Sequence, residues 1–574
     1  MKEEIQKFFK GEVENDEATL VKYSRDASIF EVRPKFVLFP KDSEDIKHLV
    51  EWVSLNKDKY EDVEKNKDWK DLSITARCAG TDMSGGAIGE SIIIDFTRHM
   101  NKLISFKGDQ ITVQPGMFYR DFEKITLEKG LILPCYTASK SLNAMGGMFG
   151  NNSAGERTLK YGQTENYILE TQVVFSDGNE YKVKPLSQKE LTKKVTQFNF
   201  ESEIYKNIYS LINKNKEEIK KAKPNVHKNS SGYYIWNVIN SEQNEKWFDL
   251  NKLLVGSQGT LGIATSITFK LVPDPKYSKL VVVFLNDLEP LGRLVDEILQ
   301  FKPETLEVYD DKTMKLAVRF FPDFLRNKGL VGMIKFMWSF LPELRMMLGG
   351  GFPKLILLAE FAGESEKIVE QQCIFLEEKI KNFKLKVHIT KSEDEANKYW
   401  DIRRESFSLL RKHIKGKHTA PFIDDIIVRP EFLPKFIPEL NQILKKYDLT
   451  YTIAGHAGDG NLHIIPLMDF SRSDTAQIIT ELSDLVFNLV AKYHGSIAAE
   501  HNDGIIRTPY LKKIYGENIV RIFKEIKSIF DPKSIFNIGK KVVMNNEEDL
   551  SSQSGTKEYL ASHIVLEHKI NHKI

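Results

Sequence analysis

Cysteine is scarce in this chain. Cys78, Cys135 and Cys373 are its only three among 574 residues and lie far apart, which excludes a disulfide framework and any CxxC metal pattern. Excess charge is also missing, since 82 basic side chains face 80 acidic ones. That balance implies no nucleic-acid partner. No stretch reaches the roughly 18 uninterrupted apolar residues of a spanning helix. The opening MKEEIQKFFKGEVENDEA alternates acid and base and has no apolar core of the kind a secretory leader requires. These absences lead us to expect a cytoplasmic location.

One further absence narrows the chemistry. No GxGxxG follows a first strand, so a Rossmann dinucleotide site is not supported. Two other glycine-rich runs are present instead, RCAGTDMSGG (Arg77 to Gly86) and SLNAMGGMFGNNSAG (Ser141 to Gly155), with GSQGTLGI from Gly256 as a third. Their small residues let backbone N–H groups turn inward on a phosphate. Asn151, Asn152 and Ser153 add side-chain donors. Two such loops in one domain suit a diphosphate.

A chain of this length exceeds one ordinary core, so two or more domains are expected. Residues 1–275 alternate strand-like and helical runs in an α+β arrangement. FEVRPKFVLFP stops at a proline, KDSEDIKHLVEWV opens a helix, and ISFKGDQITVQPG reads as a hairpin turning at Gly108-Asp109. After Pro273 and Pro275 the pattern resets, and residues 276–499 read as a second sheet flanked by helices. Residues 500–543 complete the site, and the polar residues 544–574 are expected to be mobile. One stretch, residues 319–351, is dense in Phe, Met, Leu and Trp. It reads as a buried helical hairpin, or as an insertion lying in a membrane surface with Phe336, Trp338 and Phe340 as anchors.

Two late motifs carry reactive side chains: GHAGDGNLH (Gly455 to His463) and AAEHNDG (Ala498 to Gly504). His456 and His463 sit seven apart, on opposite faces of a straight strand. Gly458 and Gly460 permit a bend that brings both imidazoles together. With Glu500 they make a His₂Glu set with an open position, the pattern of a catalytic divalent metal such as zinc. Two structural histidines around a turn are the alternative. His501 follows a ligand but is itself free to take a proton; its alternative is a capped structural histidine. Arg403 in YWDIRRESF suits bidentate clamping of a carboxylate, with Arg404 as the other candidate.

The order of these blocks from about Tyr23 to Val543 carries a family resemblance. RCAGTDMSGG, SIIIDFTRHMNKL, SLNAMGGMFGNNSAGERTLKYGQTENYILETQVVFSDG and GSQGTLGI resemble the FAD-binding domain of vanillyl-alcohol-oxidase-type flavoproteins. YWDIRRESF, GHAGDGNLH, AEHNDG and DPKSIFNIGKK resemble the FAD-linked D-2-hydroxyacid dehydrogenases, which act on D-lactate, glycolate or D-2-hydroxyglutarate. The resemblance implies an α+β fold, an FAD-binding domain followed by an α/β substrate (cap) domain. It places Ala79, Gly80, Thr81, Asp82, Met83, Ser84, Gly85 and Gly86 along the FAD diphosphate. It assigns Gly146, Gly147, Asn151, Asn152 and Gly155 to the flavin side, Gly259 to Ile263 to the nucleotide, and Asn537 to the neighbourhood of the flavin.

Members with covalent flavin use a histidine in the first loop. Thr81 and Asp82 follow Gly80 here, so noncovalent FAD is expected. The implied reaction passes a hydride from the substrate Cα to flavin N5 and leaves a 2-oxo acid, with His501 as base and Arg403 as carboxylate clamp. Three cysteines cannot ligate an iron–sulfur cluster, so the acceptor is expected to be external: a quinone at a membrane surface, an electron-transfer or iron–sulfur protein, or oxygen. A flavin-binding relay subunit without its own substrate is the reading from another class. Asn502 replaces the glycine of the common EHGDG, and Ile465 stands where relatives acting on larger diacids carry a polar residue.

Overall fold

The apolar run Lys279–Leu285 shows why the second half folds as it does. Leu280, Val282 and Phe284 point to one face of their strand and Val281, Val283 and Leu285 to the other, and both sets are buried, in two different clusters. Such a strand lies in a sheet covered on both sides. In the computed structural model this is an antiparallel sheet in the order Lys386–Ile389, Tyr277–Leu285, Leu355–Gly363, Thr305–Asp310, Thr450–His456, Asn461–Met468, His418–Thr419, with Ile426–Ile427 pairing beside Asn461–Met468. Helices Leu291–Gln300, Glu366–Ile380, Leu433–Leu444 and Thr475–Lys492 cover one face. Asp311–Arg319 and Glu393–His413 cover part of the other through Met314, Tyr399, Trp400 and Ile402. Each fully buried side chain of this size contributes about 1.5–3 kcal/mol. The structure describes residues 1–60, 72–239, 247–319, 353–413, 416–447, 449–543 and 553–565. The apolar stretch expected at 319–351 lies, beyond Arg319, outside them.

Among the described residues the first half holds two larger sheets and a two-stranded pair, Leu131–Ile132 with Val272–Pro273. Phe36–Phe39, Ile92–Asp95 and Ile74–Arg77 run parallel, with Glu12–Glu14 antiparallel at the edge. Helix Ser43–Tyr60 follows the first parallel strand and buries Ile46, Leu49, Val50 and Val53 in the same cluster. The second sheet is antiparallel, ordered Leu103–Lys107, Gln110–Val113, Ile263–Lys270, Ile168–Val174, Glu180–Val183. Its hairpin turns at Gly108 and Asp109, where Gly108 takes a φ of +60° that glycine adopts without penalty.

The carboxyl-terminal region departs from expectation. A polar tail was expected to be mobile, yet helix Gln553–His563 docks between the amino-terminal segment and helix Thr475–Lys492. Leu560 is fully buried, Ile564 pairs with Phe30, and Val565 N–H donates to the Ile29 carbonyl at 3.1 Å. A few apolar residues spaced along one face were enough to anchor a segment whose average composition is polar.

Candidate active site

The cavity begins where strand Ile74–Arg77 ends. Asp82 shapes the loop that follows, accepting from Ser84 N–H at 2.9 Å and Gly86 N–H at 2.7 Å. Gln258 ties the three glycine runs together through Asp82 at 3.3 Å, Ser84 at 3.2 Å and Asn151 at 3.3 Å. Close approach explains two glycines of the second run. A Cβ on Gly146 would stand 2.6 Å from Pro115 Cβ, and one on Gly155 would stand 1.9 Å from the Tyr136 carbonyl oxygen. Gly147 has no atom within 4 Å of such a Cβ and opens into the cavity.

Ala79, Gly80, Thr81, Asp82, Met83, Gly86, Gly146, Gly147, Asn151, Gly155, Gly259 and Ile263 line one continuous cavity, and Glu307, Arg403, His456, His463, Glu500 and His501 line it too. Six residues assigned to the cofactor stand behind that wall, among them Thr260, whose hydroxyl donates to the Ser257 carbonyl at 2.7 Å, and Leu261 in the core. Ser84 hydroxyl turns to Asp82, and its carbonyl accepts from Ile505 N–H at 2.8 Å. Gly85 backs onto Phe30 and Ile505. Asn152, in the left-handed region at φ +52°, accepts from Glu165 N–H at 2.9 Å. Asn537 donates to the carbonyls of Gly86 at 2.9 Å and Gln258 at 2.7 Å. Polar side chains flanking a loop were as well suited to bracing it as to facing its ligand. Asn502 likewise turns away from the cavity, donating to the Gly256 carbonyl at 2.8 Å.

Sheet register assembles the reactive end. Strands Thr450–His456 and Asn461–Met468 pair Ala454 with His463 and His456 with Asn461 around a tight turn. Gly460 makes that turn at φ +78°, where a Cβ would stand 1.8 Å from the Val428 carbonyl oxygen. The two imidazole centres lie 5.3 Å apart. Each has its Nδ1 turned to a carboxylate: His456 to Glu307, and His463 to Asp424 at 3.1 Å. Their Nε2 atoms face Glu500, at 3.0 Å for His456 and 3.8 Å for His463. One ligand atom from each of the three residues lies within 4.8 Å of the others. His501 stacks on His463, its Nδ1 3.0 Å from Asp424.

Electrostatics bind this group tightly. Burial opposes the imidazolium of His456, but Glu307 and Glu500 outweigh it and raise the ring to about 9. Burial likewise opposes His501, and Asp425 with Asp424 raises it to about 9. Burial pushes Glu500 up, yet Lys228 and the histidines hold its carboxyl well below the usual range. Arg403 binds Glu307 at 3.1 Å and Arg404 binds Glu156 at 2.6 Å; both residues line the cavity.

Sequence reasoning missed Glu307, Asp424, Asp425, Asp459 and Lys228. A signal existed for three of them: an acid inside the apolar strand TLEVYD and the pair of acids in FIDDIIV are costly to bury unless partnered. Asp425 accepts from the backbone N–H groups of Glu500 at 2.8 Å and His501 at 2.7 Å. Nothing in KNSSGYY marked Lys228.

The comparisons bear on the fold and the family. The 4-ethylphenol oxidase of Gulosibacter chungangensis superposes with a TM-score of 0.64 at 14% identity, over 94% of this chain and 96% of that one. The fold is therefore the two-domain, FAD-binding fold of the vanillyl-alcohol-oxidase and p-cresol-methylhydroxylase type. Residues 34–184 match the family described as FAD binding domain, and 274–541 match FAD linked oxidases, C-terminal domain. The chain therefore carries the two domains of an FAD-linked oxidase. It is 25% identical to the D-2-hydroxyglutarate dehydrogenase of Escherichia coli over 93% of this chain and 51% of that protein. It is 26% identical to the glycolate oxidase subunit GlcD of Bacillus subtilis, over 90% of this chain and 91% of that one. The chain thus spans about half the length of the Escherichia coli protein.

Proposed function

We propose that this protein uses noncovalent FAD to oxidise a small D-2-hydroxy acid, of the lactate, glycolate or 2-hydroxyglutarate kind, to the 2-oxo acid. The observation that carries this is one continuous cavity joining the glycine cradle to His456, His463, Glu500, His501 and Arg403. A cofactor in the cradle and a substrate at the histidines would lie end to end. The cradle fits a flavin dinucleotide: Gly147 leaves space that a side chain would fill, and the first loop, Ala79 to Gly86, contains no histidine for a covalent link.

The donor set also fits a divalent metal. Five buried carboxylates, Glu307, Asp424, Asp425, Asp459 and Glu500, surround the site, and three permanent cations, Lys228, Arg403 and Arg507, offset them. The two remaining negative charges are balanced by the imidazolium forms of His456 and His501 or, with both rings neutral, by one divalent cation. His456, His463 and Glu500 would hold it and leave a position open, as in catalytic zinc sites. A cation there supplies Lewis acidity to a substrate hydroxyl and favours the neutral form of nearby imidazoles.

The chain's own groups then divide the work. Arg403, oriented by Glu307, pairs the substrate carboxylate. His501, its Nδ1 side turned to Asp424, presents Nε2 as acceptor of the hydroxyl proton. Bound FAD supplies the acceptor for the hydride. Electrons then leave the flavin for an external acceptor, a quinone or an electron-transfer or iron–sulfur protein. A cytoplasmic location, with contact at the inner membrane face, belongs to the same reading; among the described residues no helix is long and apolar enough to cross a membrane.

The test is spectroscopic. The purified protein is expected to show a flavin spectrum, to release its flavin on acid denaturation, and to bleach anaerobically with one of D-lactate, glycolate or D-2-hydroxyglutarate. Peroxide formed on readmitting air would make it an oxidase. A flavin that none of the three acids reduces would overturn the assignment in favour of a relay subunit.

A further inference from the structure

Lys228 lies between the two matched regions, in a segment that neither covers. Its side chain is completely buried. The four residues after it fasten onto the loop carrying Glu500 and His501. Ser230 N–H donates to the Ala498 carbonyl at 2.9 Å, and Ser231 hydroxyl donates to Asp503 at 2.8 Å. Gly232 N–H donates to Asp503 at 2.7 Å, and Asn502 N–H donates to the Ser230 hydroxyl at 3.0 Å. That loop is held without any help from Lys228.

The ammonium group does something else. It contacts Glu500 Oε1 and lies 3.5 Å from Asp459 Oδ2. The same Oε1 stands 3.0 Å from His456 Nε2, while Oε2 points at His463 Nε2 3.8 Å away. The terminal torsion of a glutamate is broad and roughly two-fold, so its carboxylate can turn about the last bond. An ammonium fixed behind one oxygen selects the orientation that aims the carboxylate between the two imidazoles. Asp459 balances the lysine charge, and His227 backs Asp459 at 3.3 Å from the half-exposed side. The lysine therefore adds little net positive charge beside a cation.

We propose that Lys228 is a positioning residue for the divalent-metal site: reaching over from the flavin half, it holds Glu500 in the orientation that makes it the third ligand beside His456 and His463. This rests on the metal reading given above. Ligand orientation by outer groups typically accounts for about 10–100-fold in metal affinity.

The experiment measures zinc and manganese binding directly. Flavin-loaded protein is stripped with a chelator and titrated with Zn²⁺ or Mn²⁺ against a chromophoric competitor. The variants are Lys228→Met, Lys228→Gln, Glu500→Gln, and Lys228→Met combined with Glu500→Gln. Lys228→Met is expected to weaken binding about 10–100-fold with the flavin spectrum unchanged. Lys228→Gln, which keeps a donor near the same place, is expected to fall between, and it carries the test if the methionine variant loses its flavin. In the Glu500→Gln background, Lys228→Met should add less than about two-fold, because residues acting through one contact are not additive. Wild-type affinity in both Lys228 variants, or an equal loss with and without Glu500, would overturn the positioning role alone. A wild type that binds neither metal would overturn the metal reading and this inference with it.

Discussion

At the scale of the residue, His501 is the most exposed of the candidate catalytic assignments to test. Its neighbours Asp424 and Asp425 favour its imidazolium, so it takes a proton only in the neutral form that a nearby cation favours, and its ring lines the same cavity as the flavin cradle. Replacing it by Gln keeps hydrogen bonding and removes the proton acceptor. His501→Gln is expected to lower kcat about 10²–10⁴-fold, with flavin content and substrate-free spectrum unchanged. Equal turnover in the variant would assign His501 a structural role. Arg403 is engaged with Glu307, which in turn orients His456, so its replacement disturbs clamp and ligand together and is the less discriminating variant.

At the scale of the element, the docked carboxyl-terminal helix makes a strong prediction from modest material. Leu560 is fully buried against the cluster that includes Phe30 and Ile29. Leu560→Ala should cost about 2–5 kcal/mol where the helix stays packed. The loss is smaller where the helix frees itself, and limited proteolysis then cuts between residues 544 and 565 before the body of the protein. Both outcomes show in thermal denaturation read beside the proteolysis pattern. An unchanged melting temperature and cleavage rate would mean the docked helix contributes nothing to stability.

At the scale of the whole molecule, the two halves meet at a cluster of charges. Glu156, Arg157 and Lys160 come from the first half, and Glu304, Glu360 and Arg404 from the second. Burial, then Glu156 and Glu304, raise Glu360 to about 7 against the pull of Arg157 and Arg404. A carboxyl raised on folding stays protonated longer in the native state, so its contribution to stability is intact below the ordinary glutamate range. That contribution is lost as pH climbs to about 7. Glu360→Gln should therefore raise the melting temperature relative to wild type at pH 8 and leave it nearly unchanged at pH 4.5, measured with flavin bound. A difference that does not vary with pH would sink the assignment.

Much of this protein was legible in its residues. The glycine runs declared close-packed turns, which the folded chain gathers along one cavity, and GHAGDGNLH declared a bend between two imidazoles. The unbroken apolar run in KLVVVFL declared a sheet flanked by helices. Other features needed the folded chain. Asn152 and Asn537 have the same chemistry whether they face a cofactor or brace a loop, and only packing chose bracing. The tail's few apolar residues meant nothing until their partners at Ile29 and Phe30 were in place. Above all, Lys228, Glu307, Asp424 and Glu500 are scattered over some 270 positions, and their meeting is a property of sheet register and of one clamp between halves. Local sequence sets what a side chain can do; which charge stands beside it is decided by contacts distant in the chain.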